Sequence, residues 1–284
     1  MTSIAVVTDT DASLPPALAE RYGIRLVPIN VHFGDEAFQT GVDIDDAALV
    51  ERIRREGTMP MTSAPTPGQF AAAYEAAFDA GAEALVCFCV SSEISGTHNA
   101  AVQARQLFEG RSITVVDSRT VSMGQGYMAL EAAIRARDGA SVEEVIAAAE
   151  DVRERTSLYA ALDTLRYLAM SGRVGHLAAG MASLLNIKPV LTLQGGKLDM
   201  LEKVRTRRKA WGRLLALTEA SIGDRSVEKM AIVHVDAEDE ARAFEEELRA
   251  EIACPQEITM APFTAGLAVH TGPGMIGAVA VADG

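Results

Sequence analysis

Short β-branched, apolar runs near the start of the chain, each followed by a stretch of helical pattern, constrain its fold more than any other feature. Ile4–Thr8, Ala84–Val90 and Ser112–Asp117 have strand length, and helical patterns follow each at about Pro15–Tyr22, Asn99–Phe108 and Met123–Arg135. Arg25–Val31 reads as a further strand, and the Ala-rich Phe70–Phe78 as a helix. Ser13 stands where an N-cap would, with prolines in the first turn behind it. Strands separated by helices need crossover connections, so the pattern predicts a mainly parallel sheet covered by helices on both faces.

The rhythm changes further on. Asp138-Gly139-Ala140 breaks a helix, and Ser141 with Glu144 forms a capping-box start for the next. Beyond about residue 155 come short helices at Thr164–Met170 and His176–Leu185. Strands Lys188–Leu193 and Lys197–Val204 follow, joined by a Gln194-Gly195-Gly196 hairpin turn. A helix over Lys209–Ser221, strand Lys229–Val235, helix Glu238–Glu251, a strand near Glu257–Met260 and a closing strand Gly277–Ala282 complete the chain. The expected architecture is α/β in two domains. Residues 1–155 form a three-layer α/β/α unit with a mainly parallel sheet, and 156–284 an α/β domain with a mixed sheet.

A formal net charge of -13 argues against nucleic acid and anionic membrane surfaces as partners. The N-terminus lacks the basic and apolar regions of a signal peptide, and no apolar run approaches the roughly 20 residues of a membrane helix, so no stable membrane insertion and a cytoplasmic location are expected. Cys87 and Cys89 fall on one face of a strand, where core packing accounts for them without a metal or redox role. There is no P-loop and no GxSxG elbow. Gly124-x-Gly126 starts too far beyond its strand for a dinucleotide fingerprint, and Gly272-x-Gly274-x-x-Gly277 leads into a strand. The five histidines show no close metal-ligand spacing. Neither a metal nor a cofactor is expected.

The candidate chemistry is concentrated in hydroxyl-rich loops. Ser91 to His98 lies between a buried strand and a helix, the junction where parallel sheets bind ligands. There Ser95, Thr97 and free helix N–H groups suit an anion, and Gly96 permits close backbone approach; a plain helix cap accounts for the same residues. Pro60 to Gly68, with Thr62, Ser63 and Thr66, is a proline-stiffened second cluster, or a linker with Thr66 capping the next helix. His270 precedes the glycine turn Thr271-Gly272-Pro273-Gly274, which suits side-chain presentation or simple loop capping. Lys203 to Lys209 is the strongly basic run, and Arg205 within it is placed to meet a phosphate or an acidic surface; Arg173 lies between Gly172 and Gly175.

In order along the chain, these segments resemble the DegV family of fatty-acid-binding proteins. The resemblance rests on Thr8-Asp9, Thr62-Ser63-x-Pro65, Ser95-Gly96-Thr97, Asp117-Ser118, Gly172-Arg173-Val174-Gly175, Leu185-Asn186-Ile187-Lys188-Pro189, Lys203-Val204-Arg205 and His270-x-Gly272-Pro273-Gly274, and covers about residues 3–282. It departs at Thr66, where many members carry serine, and in the hydroxyl order of Asp9 to Leu14. The resemblance implies a long-chain fatty acid such as hexadecanoate between the two domains. Its carboxylate would be held by Thr62 and Ser95, with Ser63, Gly96, Thr97 and His270 around it, and Arg173 and Arg205 would face the head group or a partner. It also implies a binding protein and not an enzyme, with the acid presented to a separate fatty acid kinase that forms an acyl phosphate. Burial of a sixteen-carbon tail is worth roughly 11 kcal/mol gross, so the tail would supply affinity and the polar cluster orientation. Two other readings compete: a substrate-binding subunit like that of dihydroxyacetone kinase, holding a small ketone through His270, and a serine acyl hydrolase using Ser95 or Ser63.

Overall fold

The computed structural model describes residues 2–173 and 187–284. The chain divides into two compact units, one of Met1–Asp45 with Thr62–Glu154 and the other of Asp46–Met61 with Arg155–Gly284. The boundary near residue 155 therefore has a companion that a linear reading of 1–155 does not contain: residues 46–61 pack into the second unit.

In the first unit, β1 (Ile4–Asp9), β2 (Arg25–Val27), β6 (Ala84–Cys89) and β7 (Ser112–Asp117) form a parallel sheet in the order β2-β1-β6-β7. Val7, Leu85, Cys87 and Cys89 pack against α3 (Pro67–Asp79) and α4 (Thr97–Arg105) through Phe70, Tyr74, Ala101 and Ala104. Side chains alternate across a strand, so Thr8 and Phe88 face the other layer. There α5 (Met123–Arg137), beside α1 (Pro16–Tyr22), places Gln125 against both residues. Helix α6 (Val142–Arg155) closes this part of the chain, and a small sheet of β3 (Asn30–Phe33), β4 (Glu36–Gln39) and β5 (Met61–Ser63) runs in the order β4-β3-β5.

Several local expectations change. The single strand expected over Arg25–Val31 is two, because Pro28 lacks the N–H that would continue a ladder and the chain turns there into β3. Ser13 does not cap α1; it sits at φ 48° closing a 3-10 turn, and Pro15 precedes the helix. Helix α4 starts earlier than expected, at Thr97, and the Pro60–Gly68 segment contains strand β5 as well as the capped start of α3.

Among the described residues the second unit has a sheet of six strands in the order β10-β9-β8-β13-β11-β12: β8 (Thr156–Ala161), β9 (Lys188–Gln194), β10 (Lys197–Val204), β11 (Val227–His234), β12 (Thr259–Pro262) and β13 (Ile276–Ala282). All neighbours are antiparallel except β11 with β12, so the sheet is mixed. Gly195 and Gly196, both at positive φ (57° and 87°), make the tight β9–β10 turn. Leu214 of α8 (Arg207–Ile222) and Phe244 and Leu248 of α9 (Glu238–Glu251) join Met230, Ile232 and Ile276 in one core. Helices α2 (Asp46–Glu56), α7 (Arg166–Met170) and α10 (Ala265–Thr271) also belong to this unit. The helix expected at His176–Leu185, with Val174, Gly175, Leu185 and Asn186 of the quoted motifs, lies outside the described residues.

Candidate functional site

Strand order in the first unit reverses between β1 and β6, and open parallel sheets bind ligands beyond the strand ends at such a point. The chain is stitched there by Asp9. Its fully buried carboxylate accepts from the backbone N–H of Val90 (2.8 Å) and Asp11 (3.0 Å) and from Gln125 Nε2 (3.0 Å). Burial pushes the carboxyl pKa up to about 6, against the lowering effect of these donors. Gln125 Nε2 also donates to Thr8 Oγ1 at 2.8 Å, so Thr8-Asp9 serves the scaffold.

The loop beyond β6 divides its hydroxyls between two tasks. Ser92 donates to Asp117 at 2.5 Å, and Asp117 also accepts from the backbone N–H of Ser92 and Arg119, so these residues fix the loop. Ser95 and Thr97 stand at the mouth of α4, with Oγ and Oγ1 2.8 Å apart and the Thr97 N–H donating to Ser95 Oγ at 3.3 Å. The N-cap is Gly96, with no side-chain cap. Ser95 thus meets one N–H of a helix end whose other first-turn donors have no intrahelical acceptor.

Thr62 and Ser63 end β5, immediately before Ala64. A Cβ built on Gly96 would lie 3.9 Å from the Ala64 Cβ, so the two hydroxyl loops adjoin. The second loop is held by residues that the sequence reading did not single out. Asn30 Nδ2 donates to the Ala64 carbonyl and to Gln69 Oε1, both at 3.1 Å, while Gln69 Nε2 returns a bond to Asn30 Oδ1. Thr66 and Gln69 form a capping box at the start of α3, and Pro65 is buried. The Thr-x-x-Gln spacing was a readable signal for Gln69; Asn30, which meets it across 39 positions, offered none. His32 Nε2 lies 2.9 Å from Ser63 Oγ.

His270, Arg173 and Arg205 lie in the second unit. His270 lies in the last turn of α10, and burial, followed by the positive charge of Arg173, pulls its pKa down to about 4. Its imidazole is therefore neutral at neutral pH. Arg173 is exposed and donates to the Ser171 carbonyl at 2.6 Å; Arg205 is exposed in the bend between β10 and α8. The neighbouring Arg207 is the member of the basic run wired into the fold, through Asp163 at 2.9 Å and Glu240 at 3.1 Å.

Among the described residues of this unit, two cavities stand out. One, of about 270 Å³, is walled by Val50, Ile53, Met59, Tyr167, Ala268 and Pro273, with Arg166 and Asp236 among its few charged neighbours. The other, of about 590 Å³, carries Glu51, Asp236, Glu238, Asp239 and Glu240. The larger cavity repels anions, and the smaller suits an apolar group. Among the described residues no cluster of histidine, cysteine and carboxylate side chains has the makings of a metal site, and no helix is long and apolar enough to cross a membrane.

A family model described as "Uncharacterised protein, DegV family" matches residues 3–283. The chain belongs to the DegV family. This DegV chain is 38% identical over 276 residues to a DegV domain-containing protein of Streptomyces coelicolor, covering 97% of each. Among solved structures it resembles a Thermus thermophilus DegV family protein described by its fatty acid binding, with TM-score 0.91, 32% identity and coverage of 99% and 100%. It also resembles Bacillus subtilis DegV, described as a fatty acid binding protein, with TM-score 0.89, 30% identity and full coverage of both chains. The two-domain α/β architecture, one sheet parallel and one mixed, is that of these DegV structures.

Proposed function

We propose that the chain is a carrier that binds a long-chain fatty acid and has no catalytic residues of its own. The observation that carries this reading is the pair of adjoining hydroxyl loops, Thr62–Ala64 and Ser95–Thr97, at the end of a parallel sheet beside a helix N-terminus. A desolvated carboxylate requires several donors, and Thr62, Ser63, Ser95, Thr97 and the N–H groups near Gly96 are of that kind. Neutral His270 is assigned as a further donor, and Arg173 and Arg205 to the head group or to a partner surface. The apolar cavity of the second unit supports a hydrocarbon ligand, as do the DegV relatives at 32% and 30% identity described as fatty-acid-binding. This reading needs no cofactor. The finer proposal is that the bound acid is presented to a separate ATP-using kinase that makes the acyl phosphate.

Solvent extraction of the purified protein followed by mass spectrometry tests the binding. A stoichiometric long-chain acid is expected, and a clean extract would count decisively against it. Ser95→Ala and Thr62→Ala should each weaken binding about tenfold by removing a donor to a charged group, worth about 1.5 kcal/mol. Acyl phosphate formed from ATP by the isolated chain would overturn the assignment of catalysis to a partner.

A serine hydrolase has one observation in its favour, the 2.9 Å Ser63–His32 contact, which has the spacing of a nucleophile and its base. Among the described residues no carboxylate hydrogen-bonds to His32. Turnover of an activated ester, lost in Ser63→Ala, would establish this activity.

A further inference from the structure

The turn after His270 is gripped from three directions. The Gly272 N–H donates to the Ala268 carbonyl at 2.8 Å, closing α10, while Gly272 adopts φ 77° and ψ 170°, a conformation open essentially to glycine alone. A Cβ added there would fall on the Tyr167 ring, so the ring of α7 lies directly against the glycine backbone. Two residues on, Gly274 adopts φ 81° and donates to the Val235 carbonyl at 2.8 Å. A Cβ on Gly274 would sit 2.8 Å from Asp163 Oδ2 and 3.0 Å from an Arg207 guanidinium nitrogen.

Both carboxylate oxygens of Asp163 are engaged. Lys188 Nζ meets Oδ1 at 2.9 Å and donates to the Asp163 carbonyl at 3.1 Å, while Arg207 meets Oδ2 at 2.9 Å. Arg207 continues to Glu240 at 3.1 Å, giving a chain of alternating charge that joins the end of β8, the start of β9 and the first turns of α8 and α9. Half-exposed pairs of this sort contribute little stability. What is specific is their place: the carboxylate and guanidinium fill the space that a side chain at position 274 would need.

We propose that Asp163, Arg207 and Tyr167 are positioning residues that fix the Gly272–Gly274 turn and through it the imidazole of His270, an assignment whose functional meaning rests on the place of His270 in the proposed head-group chemistry. Burial already acts against the charge of Asp163, and the hydrogen bonds from Lys188 and Arg207 hold its pKa below the usual carboxylate value, so the clamp stays charged through the neutral range.

The test follows the His270 imidazole by NMR in the full-length protein, its signal assigned by its loss in His270→Gln. Asp163→Asn, Arg207→Met and Tyr167→Leu should each raise the His270 pKa from about 4 toward 6.5, by about one unit or more, as the loosened turn admits water. Tyr167→Phe keeps the ring and should titrate like the wild type. Glu202→Gln, which removes the Arg213–Glu202 pair elsewhere in the same unit, should also change nothing. An unmoved His270 signal in folded Asp163→Asn and Tyr167→Leu would overturn the proposal, as would a shift in Tyr167→Phe equal to that in Tyr167→Leu.

Binding of hexadecanoate and of hexadecanol gives the separate functional readout. The clamp variants should lose about tenfold of the preference for the acid while retaining affinity for the alcohol. If the wild-type protein shows no such preference, the head-group reading fails, and the NMR titration still decides the positioning role.

Discussion

His270 and Asp9 show what burial does to a single ionisable group. A histidine whose folded pKa is about 4, against an ordinary 6.5, binds fewer protons folded than unfolded throughout that interval. Stability from this site is complete above 6.5 and lost as pH falls toward 4. Denaturant melts between pH 7 and 4 should therefore show a downward slope that is shallower in His270→Gln, which stays neutral. Asp9 presents the opposite sign, a carboxyl raised to about 6, yet three donors converge on it. Asp9→Ala would remove the acceptor of the buried N–H groups of Val90 and Asp11 and one of the acceptors of the Gln125 amide. A loss of about 3 kcal/mol is expected, read from the urea midpoint at unchanged m-value. At this scale residue type was informative and partnership was not. Within the basic run Arg205 stood out, whereas Arg207, two residues later, carries the contacts, because Asp163 and Glu240 approach it from elsewhere in the chain.

Elements were legible where their signals are local. Helix α3 begins with Thr66 as N-cap, proline at the first position and Gln69 returning the bond, all within four residues. Thr66→Ala should cost about 1 kcal/mol, measurable by thermal unfolding, and should also loosen the Thr62–Ala64 loop that α3 anchors. Gly195-Gly196 announced its hairpin in the same way. Strand β8 and helices α2 and α10 were not foreseen. Helix α2 has only three large apolar side chains, Leu49, Val50 and Ile53, and Leu49 is fully buried in the second unit; α10 is seven residues long and mostly buried, too short to display an amphipathic stripe. Pro28 splits what reads as one strand, since β-rich composition on both sides conceals a missing donor.

At the scale of the whole molecule, each unit has a core of its own among the described residues. Phe244 and Leu214 serve one, and Phe70 and Tyr74 the other. Phe244→Ala should cost about 3–5 kcal/mol and accelerate amide hydrogen exchange in β11 and β13, while Val7 and Leu85 in the first unit retain their protection. Equal acceleration in both units would show that the cores unfold together.

By itself the sequence determined the α/β class, the change from a parallel to a mixed sheet and the residue types of the hydroxyl loops, because periodicity, caps and turn glycines act over a few residues. Tertiary structure decided which hydroxyls are spent on scaffolding, as Ser92 is on Asp117, and which remain at a helix mouth, as Ser95 and Thr97 do. It also placed residues 46–61 in the second unit, set Asn30 under the Thr62 loop and closed the charged clamp on Gly274. These outcomes depend on contacts between residues dozens of positions apart, where shape and burial select the partner and local spacing carries no record of it.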